Sequence, residues 1–205
     1  MAYDPVADGE IAAVVTYLEM RSRPPKSVSL ASPLSFWTIE APDLADYRRL
    51  FRLVGSRWLW FSRLQLDDAE LAAIIHHPEV AFYPVVDDRL GEVGLLELDF
   101  RVEGECEIAF VGLVPELAGQ GHGRWLMAEA LHLAWREGVT RVHVHTCTLD
   151  HPAALAAYRR AGFTAYKRAI ERFPDPRLLG ILPLDCAPQL PVVGTLASAA
   201  PSPAS

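Results

Sequence analysis

The chain has 205 residues, 51% of them hydrophobic and 22% charged, the balance of a chain that buries a core rather than of a disordered one. That length suits one domain, large enough to fold without disulfide or metal staples. A formal net charge of -7 without a concentrated basic face argues against non-specific nucleic-acid binding, and it tolerates a cationic or amine substrate better than an acidic one.

Asp4, Asp8, Glu10 and Glu19 interrupt the N-terminal stretch, which therefore lacks a signal-peptide pattern. No uninterrupted apolar run approaches the roughly 18 to 20 residues of a membrane span. Cys106, Cys147 and Cys186 are odd in number and far apart, which suits a reducing compartment and neither a zinc site nor a disulfide framework. The expectation is a cytoplasmic protein with no membrane partner.

In chain order, Ile11, Val14, Val15 and Leu18 recur at helical spacing over residues 8–21, and Pro24-Pro25 ends the segment, so an N-terminal helix is expected there. Its apolar side leaves homodimer formation open. Residues 36–40 read as a short strand, and Pro42-Asp43 opens a helix with Leu44, Tyr47, Leu50, Phe51 and Val54 on its apolar side. Trp58, Trp60 and Phe61 cluster in residues 57–63, a pattern of packing more often than of a substrate wall. A short helix over residues 67–75 takes Asp67 or Asp68 as its cap.

Three strand-like runs follow, at residues 80–86, 91–102 and 106–114, joined by the tight polar turns Asp87-Asp88-Arg89 and Glu103-Gly104. They imply an antiparallel meander. Next come a glycine turn, a helix to about Trp135, a strand at 141–148, a helix at 152–160 opened by Asp150 or His151, and a strand beginning at Phe163 after Gly162. The fold class is α/β, of the α+β kind: helices flank one mixed, mostly antiparallel sheet, with an extra N-terminal helix. The divisions are an N-terminal helix and loop over 1–34, a main domain over 35–185, and an Ala/Pro/Ser-rich flexible tail over 186–205.

The glycine turn organises the rest. An apolar run from Leu113 enters Gly119, Gly121 and Gly123 at alternate positions, and helical apolar spacing resumes at Leu126 and Met127. The free N–H groups of a helix's first turn and the positive end of its dipole form an anion site, which glycines let a phosphate approach closely. A cradle for a phosphate-bearing cofactor is expected. A dinucleotide fingerprint would space its glycines as G-x-G-x-x-G early in the chain, with an acidic residue about 20 positions on. Here the spacing is G-x-G-x-G, late, and position 143 is His.

Two motifs make residues 36–173 resemble the GNAT superfamily of acetyl-CoA-dependent N-acetyltransferases. The family's Gln/Arg-x-x-Gly-x-Gly/Ala turn reads here Ala118-Gly119-Gln120-Gly121-His122-Gly123, and its Asn-x-x-Ala-x-x-x-Tyr-x-x-x-Gly-Phe pattern reads from His151 and Ala154 to Tyr158, Gly162 and Phe163. Ala118 and His151 depart from the family pattern.

The resemblance implies acetyl-CoA as co-substrate and a small-molecule or peptide amine as acceptor, joined by direct transfer in a ternary complex. It implies coenzyme A contacts at Leu113, Ala118, Gly119, Gln120, Gly121, His122, Gly123, Arg124, His151 and Ala154. Val111 N–H would be the oxyanion donor, Tyr158 the general acid, and Glu107 the general base, with Glu105 as substitute.

Alternation along the strand puts positions 107, 109, 111 and 113 on one face, so Glu107 is expected on the side of Val111. An alkylamine has a pKa near 10.4, so its unassisted deprotonation at neutral pH costs about 4.6 kcal/mol, which a nearby base lowers. His143 and His145 form an H-x-H pair without a third ligand, so no metal is expected. The alternative to an enzyme is a non-catalytic acyl-CoA-binding or regulatory domain, motivated by Ala118.

Overall fold

A computed structural model describes residues 3–25 and 31–195. Its elements are β1 (Glu10–Met20), β2 (Ser35–Phe36), α1 (Leu44–Gly55), α2 (Asp68–Ile75), β3 (Val80–Asp87), β4 (Gly91–Asp99), β5 (Glu105–Leu113), α3 (His122–Ala134), β6 (Arg141–Cys147), α4 (Ala154–Ala161) and β7 (Thr164–Pro174). One sheet holds all seven strands in the order β2-β3-β4-β5-β6-β1-β7. Every neighbouring pair is antiparallel except β5 with β6. This is the mixed, mostly antiparallel sheet that the meander and its flanking helices imply.

The helix starts follow from their caps. Asp43 accepts from the N–H groups of Ala45 and Asp46 at the head of α1, and Asp67 and Glu70 form a reciprocal capping box on α2. α1 lays Tyr47, Leu50, Phe51 and Val54 on one face of the sheet. α3 buries Trp125, Leu126, Ala130 and Ala134 in the same core.

The expected N-terminal helix is instead β1, an inner strand paired with β6 on one side and β7 on the other. The reason lies in which face of β1 is covered. Ile11 points to one face, where it packs with Leu59, Leu182 and Ala187, whereas Leu18 and Met20 point to the other and join the main core. A strand that changes its buried face midway spaces its apolar residues as 11, 15 and 18, which imitates a helical stripe. β-branched Ile11, Val14, Val15 and Thr16 tip the choice to strand. The apolar residues that had left dimerisation open are thus largely spent inside the sheet.

The tail also departs from expectation. Residues 186–195 fold back onto the domain: Val193 O accepts from Gly9 N–H at 2.8 Å, and Gln189 donates to Arg57 O at 2.8 Å. Arg177 is the anchor, 1% exposed, forked onto Asp175 and donating to Leu190 O at 2.8 Å. The remainder, 196–205, lies outside the described residues. No helix among the described residues is long and apolar enough to cross a membrane.

Candidate active site

β5 runs through Val114 and a short 3-10 turn, Pro115–Leu117, into the glycine turn. Gly119 and Gly121 sit at φ +78° and +88°, where an L side chain is strained, and Gly121 is the N-cap of α3. No side chain among the described residues caps this helix. A Cβ placed on Gly119, Gly121 or Gly123 would meet nothing of the described residues within 4 Å, so among these residues all three are open at a helix N-terminus. Gln120 braces the turn by donating to Glu116 O at 3.0 Å, and His122 Nδ1 stands 3.2 Å from Ser32 Oγ. The residues present fit a phosphate-bearing group: backbone donors at a positive helix end, with no atoms of the described residues in the way.

From Gly123 a groove of about 1000 Å³ runs along α3, walled by α4 and the segment after β1. Arg124, Arg23 and Arg160 line it from three different segments, and Met127 and Ala157 supply apolar wall. It offers both a cationic rim for phosphates and an apolar floor. Arg124 is among the expected cofactor residues, but Arg23 and Arg160 were not. Their approach to one another depends on where α4 and the end of β1 pack, which no local pattern states.

β5 and β6 are paired only at Glu105/Arg141, Cys106/Val142 and Glu107/His143. Beyond Glu107, the register joins β5 to β4 alone, with Val111 opposite Leu96 and Leu113 opposite Gly94. A gap therefore opens between the two parallel strands just past Glu107, on the way to the glycine turn.

Glu107 is not on the face of Val111. The β4–β5 register shifts between Glu97 and Leu98, leaving Ala109 as an extra residue in β5, so alternation reverses there. Glu107 is opposite Asp99 and Phe110 opposite Glu97, which puts those four on one face. Ile108 and Val111, opposite Leu98 and Leu96, are on the other.

At the mouth of the gap, Glu107 Oε1 lies 3.1 Å from His145 Nδ1. The hydrogen bond with His145, aided by the nearby imidazole charges and opposed by burial, holds the Glu107 carboxyl below its usual range. The same bond raises His145. His143, 3.5 Å from Glu105, is lowered by burial, with Arg141 adding to the effect. Glu105 itself is tied to Arg141 at 2.7 Å. So the two histidines of the H-x-H pair each face a carboxylate, and Glu107 rather than Glu105 is the one free of an arginine.

Trp60 fills the space above β5. Its ring lies 5.2 Å from Phe110 and 5.6 Å from Phe51, and its indole N–H donates to Asp150 at 3.2 Å. This is the packing role expected of the aromatic cluster. Asp150 also accepts from Thr146 Oγ1 at 2.6 Å and Cys147 N–H at 2.9 Å. It thereby fixes the loop after β6 instead of capping α4.

Opposite Phe110 in the sheet, Glu97 is fully buried beneath α1. It accepts from Tyr47 at 2.5 Å and Arg63 at 2.7 Å. Sequence reading missed this cluster because Glu97 looks like one charge in an apolar strand.

Tyr158 is 8% exposed and packs edge-on against Phe163 in the main core. Burial pushes its phenol well above the usual value, and the charge of Asp150 adds to this. His151 does not line the α3 groove. It accepts from Ala153 N–H at 3.1 Å and lies edge-on to Trp58. Ala154 packs against the core.

A family model described as the acetyltransferase (GNAT) family matches residues 45–163, more than half of the chain. N-alpha-acetyltransferase RimI of Mycobacterium tuberculosis is 39% identical over 74 residues, 36% of this chain and 44% of that protein. The chain thus matches less than half of that relative's length. A GCN5-related N-acetyltransferase from Sphaerobacter thermophilus superposes with a TM-score of 0.55 at 20% identity, over 83% of this chain and 52% of that one. An aminoglycoside acetyltransferase from an uncultured soil metagenomic sample, in complex with sisomicin, superposes with a TM-score of 0.53 at 17% identity, over 67% of this chain and 93% of that one. At these identities the structural likeness is one of fold.

Proposed function

The chain belongs to the GNAT family of acetyltransferases, and from that premise we propose that it moves an acetyl group from acetyl-CoA to a primary amine by direct transfer in a ternary complex. One observation carries the reading: the strand that parts from β6 after Glu107 ends in the glycine turn whose three Cβ positions are empty. A long, narrow thioester co-substrate could lie with its phosphates at that turn and its acyl end in the gap. The likeness to RimI, an N-alpha-acetyltransferase, and to an aminoglycoside acetyltransferase supports an amine acceptor, either a small molecule or a peptide.

In this reading the pyrophosphate is held by backbone N–H groups from Gly119 to Arg124. The side chains of Arg124, Arg23 and Arg160 neutralise further phosphate charge along the groove. Because the backbone does most of this work, Ala118 in place of a Gln or Arg side chain weakens the grip without removing it. Leu113 flanks the pantetheine arm and Val111 N–H donates to the oxyanion. Tyr158 supplies the proton to the departing thiolate; burial keeps the phenol protonated up to that step and at the same time makes it a weaker acid, so the proton moves only as charge develops on sulfur. The ammonium proton leaves at the Glu107 end of the gap. A reducing, cytoplasmic setting belongs to the same reading, in keeping with three free cysteines.

A second reading, a non-catalytic acyl-CoA-binding domain, is favoured by Ala118 and by the depth at which Tyr158 is buried. Thermal shift with acetyl-CoA, followed by free-thiol release over a panel of primary amines and peptides, separates the two. Binding together with amine-dependent thiol release supports the enzyme, and binding without release over the whole panel supports the second reading.

A further inference from the structure

Glu107 and His145 meet from different strands on the face of the sheet opposite the α3 groove, at the point where β5 and β6 cease to pair. An acyl group entering the gap from the groove side would present its carbonyl to an amine arriving from this face. The amine must lose a proton there, and the pair's geometry fixes which atom is placed to receive it. With Nδ1 turned to the carboxylate, the neutral imidazole carries its proton on Nδ1 and leaves Nε2 with a free lone pair.

We propose that His145 Nε2 is the base that takes the acceptor's ammonium proton, and that Glu107 acts as the positioning residue that holds the imidazole by Nδ1. The inference rests on the acetyl-transfer reading above and changes the role of Glu107 within it. The steps balance as follows. The ammonium N–H proton passes to Nε2, giving imidazolium beside the Glu107 carboxylate. The amine lone pair forms the C–N bond and the C–S bond breaks; the thiolate receives the proton of Tyr158, and the second proton that the nitrogen sheds in becoming an amide returns, through solvent, to the phenolate. The imidazolium proton then leaves to solvent, to which the half-exposed His145 has access.

Three observations favour His145 over Glu107 as acceptor of the proton. A base works best when its pKa is near the working pH, and the shared bond moves the two groups in opposite senses, the carboxylate downward and the imidazole upward. Carboxylates surround the imidazolium that would form: Glu107 at 3.1 Å, with Asp150 and Glu171 also raising His145. The ring is set by its neighbours on the sheet, with Tyr17 of β1 directly opposite at 5.8 Å between centroids and Lys167 of β7 over the ring of that tyrosine. The other charged groups on this face include His143, Glu105, Arg141 and Glu19, which are engaged with one another, Asp99, which pairs with Arg101, and Glu97, which pairs with Arg63.

The test uses the full chain. Wild type, His145→Ala, His145→Gln and Glu107→Gln are assayed for thiol release at saturating acetyl-CoA and amine from pH 5 to 10, and the His145 imidazole is titrated by NMR in wild type and Glu107→Gln. Acetyl-CoA thermal shift confirms that each variant folds and loads.

The proposal expects His145→Ala to lower kcat about 100-fold or more with acetyl-CoA binding unchanged, and added imidazole to restore part of the rate. It expects the acid limb of kcat in wild type to lie above 6.5 and to move to lower pH in Glu107→Gln, together with the NMR titration. Wild-type turnover with unaffected His145 variants overturns the proposal alone. So does a wild-type kcat that shows no acid limb down to pH 5 and collapses in Glu107→Gln, since Glu107 is then the base. Acetyl-CoA binding with no turnover for any amine overturns the acetyl-transfer reading and this proposal with it.

Discussion

The indole of Trp60 donates to the carboxylate of Asp150 across the top of the gap between β5 and β6, tying the loop after α1 to the loop after β6. Asp150 accepts two further bonds from its own loop, so one side chain sets the position of both borders. Replacing it by Ala leaves three donors without their partner, which for part-buried groups costs about 1–3 kcal/mol. Trp60→Phe loses one bond and keeps most of the packing against Phe51 and Phe110, so about 1 kcal/mol is expected. Urea denaturation checks both, and an Asp150→Ala loss no larger than that of Trp60→Phe would count against the bracing role.

The Glu107–His145 pair has a pH signature in stability as well. Glu107 is lowered from 4.5, so its contribution is present above that value and is lost as pH falls through the depressed folded pKa. His145 is raised from 6.5, so its contribution is present below that value and is lost as pH rises through the elevated folded pKa. The pair therefore stabilises most between about 4.5 and 6.5. Both groups are substantially exposed, and about 0.2–1 kcal/mol is expected. His145→Gln should cost most near pH 5.5 and little at pH 9. An equal cost at both values would show that the bond is not ionic.

Arg177 and Asp175 make the opposite case, a buried ion pair. Removing one partner leaves the other charged and buried, so Arg177→Met should destabilise by about 3–5 kcal/mol, while Asp175→Leu combined with Arg177→Met recovers much of that loss. Because Arg177 also holds Leu190 O and, less closely, Cys186 O, the single variant should expose residues 186–195 to protease. Limited proteolysis that cuts wild type and variant alike in this segment would deny the anchor.

These features differ in how far the sequence revealed them. The meander, the capped helices α1 and α2 and the glycine turn were legible because each is local: alternation, an Asp at the right offset, glycines where φ must be positive. β1 was not, since its apolar spacing reflects two different neighbours on its two faces, neither of them near in sequence. Glu107 was reached through the family resemblance, but its face was not, because one extra residue at Ala109 reverses every later position and a bulge leaves no compositional mark. His145 needed the β5–β6 register, a long-range fact. The anchoring of 186–195 was hidden behind a composition that resembles a disordered tail, and only the buried Arg177 explains it.

Tyr158 separates packing from chemistry through a substitution that keeps the ring. Tyr158→Phe retains the contact with Phe163 and removes only the hydroxyl, so stability should change by less than about 1.5 kcal/mol. If the phenol protonates the thiolate, kcat falls about 100-fold or more while acetyl-CoA affinity holds. Paired thermal melts and thiol-release kinetics decide it, and an unchanged kcat would assign Tyr158 to the core alone.

Gly123 offers a test in which stability and binding move in opposite directions. Unlike Gly119 and Gly121, it lies inside α3 without a positive φ, so Ala is sterically admissible there and a Cβ meets nothing in the free protein. Gly123→Ala should raise the stability of the unliganded protein by up to about 0.5–1 kcal/mol, the gain of Ala over Gly in a helix, reduced by its position in the first turn. If a phosphate rests against this backbone, the same methyl occupies its space, and acetyl-CoA affinity should fall about tenfold or more. Thermal unfolding of the free protein and calorimetric titration with acetyl-CoA read the two effects separately. A variant that is stabilised and binds acetyl-CoA as tightly as wild type would move the phosphate site away from Gly123.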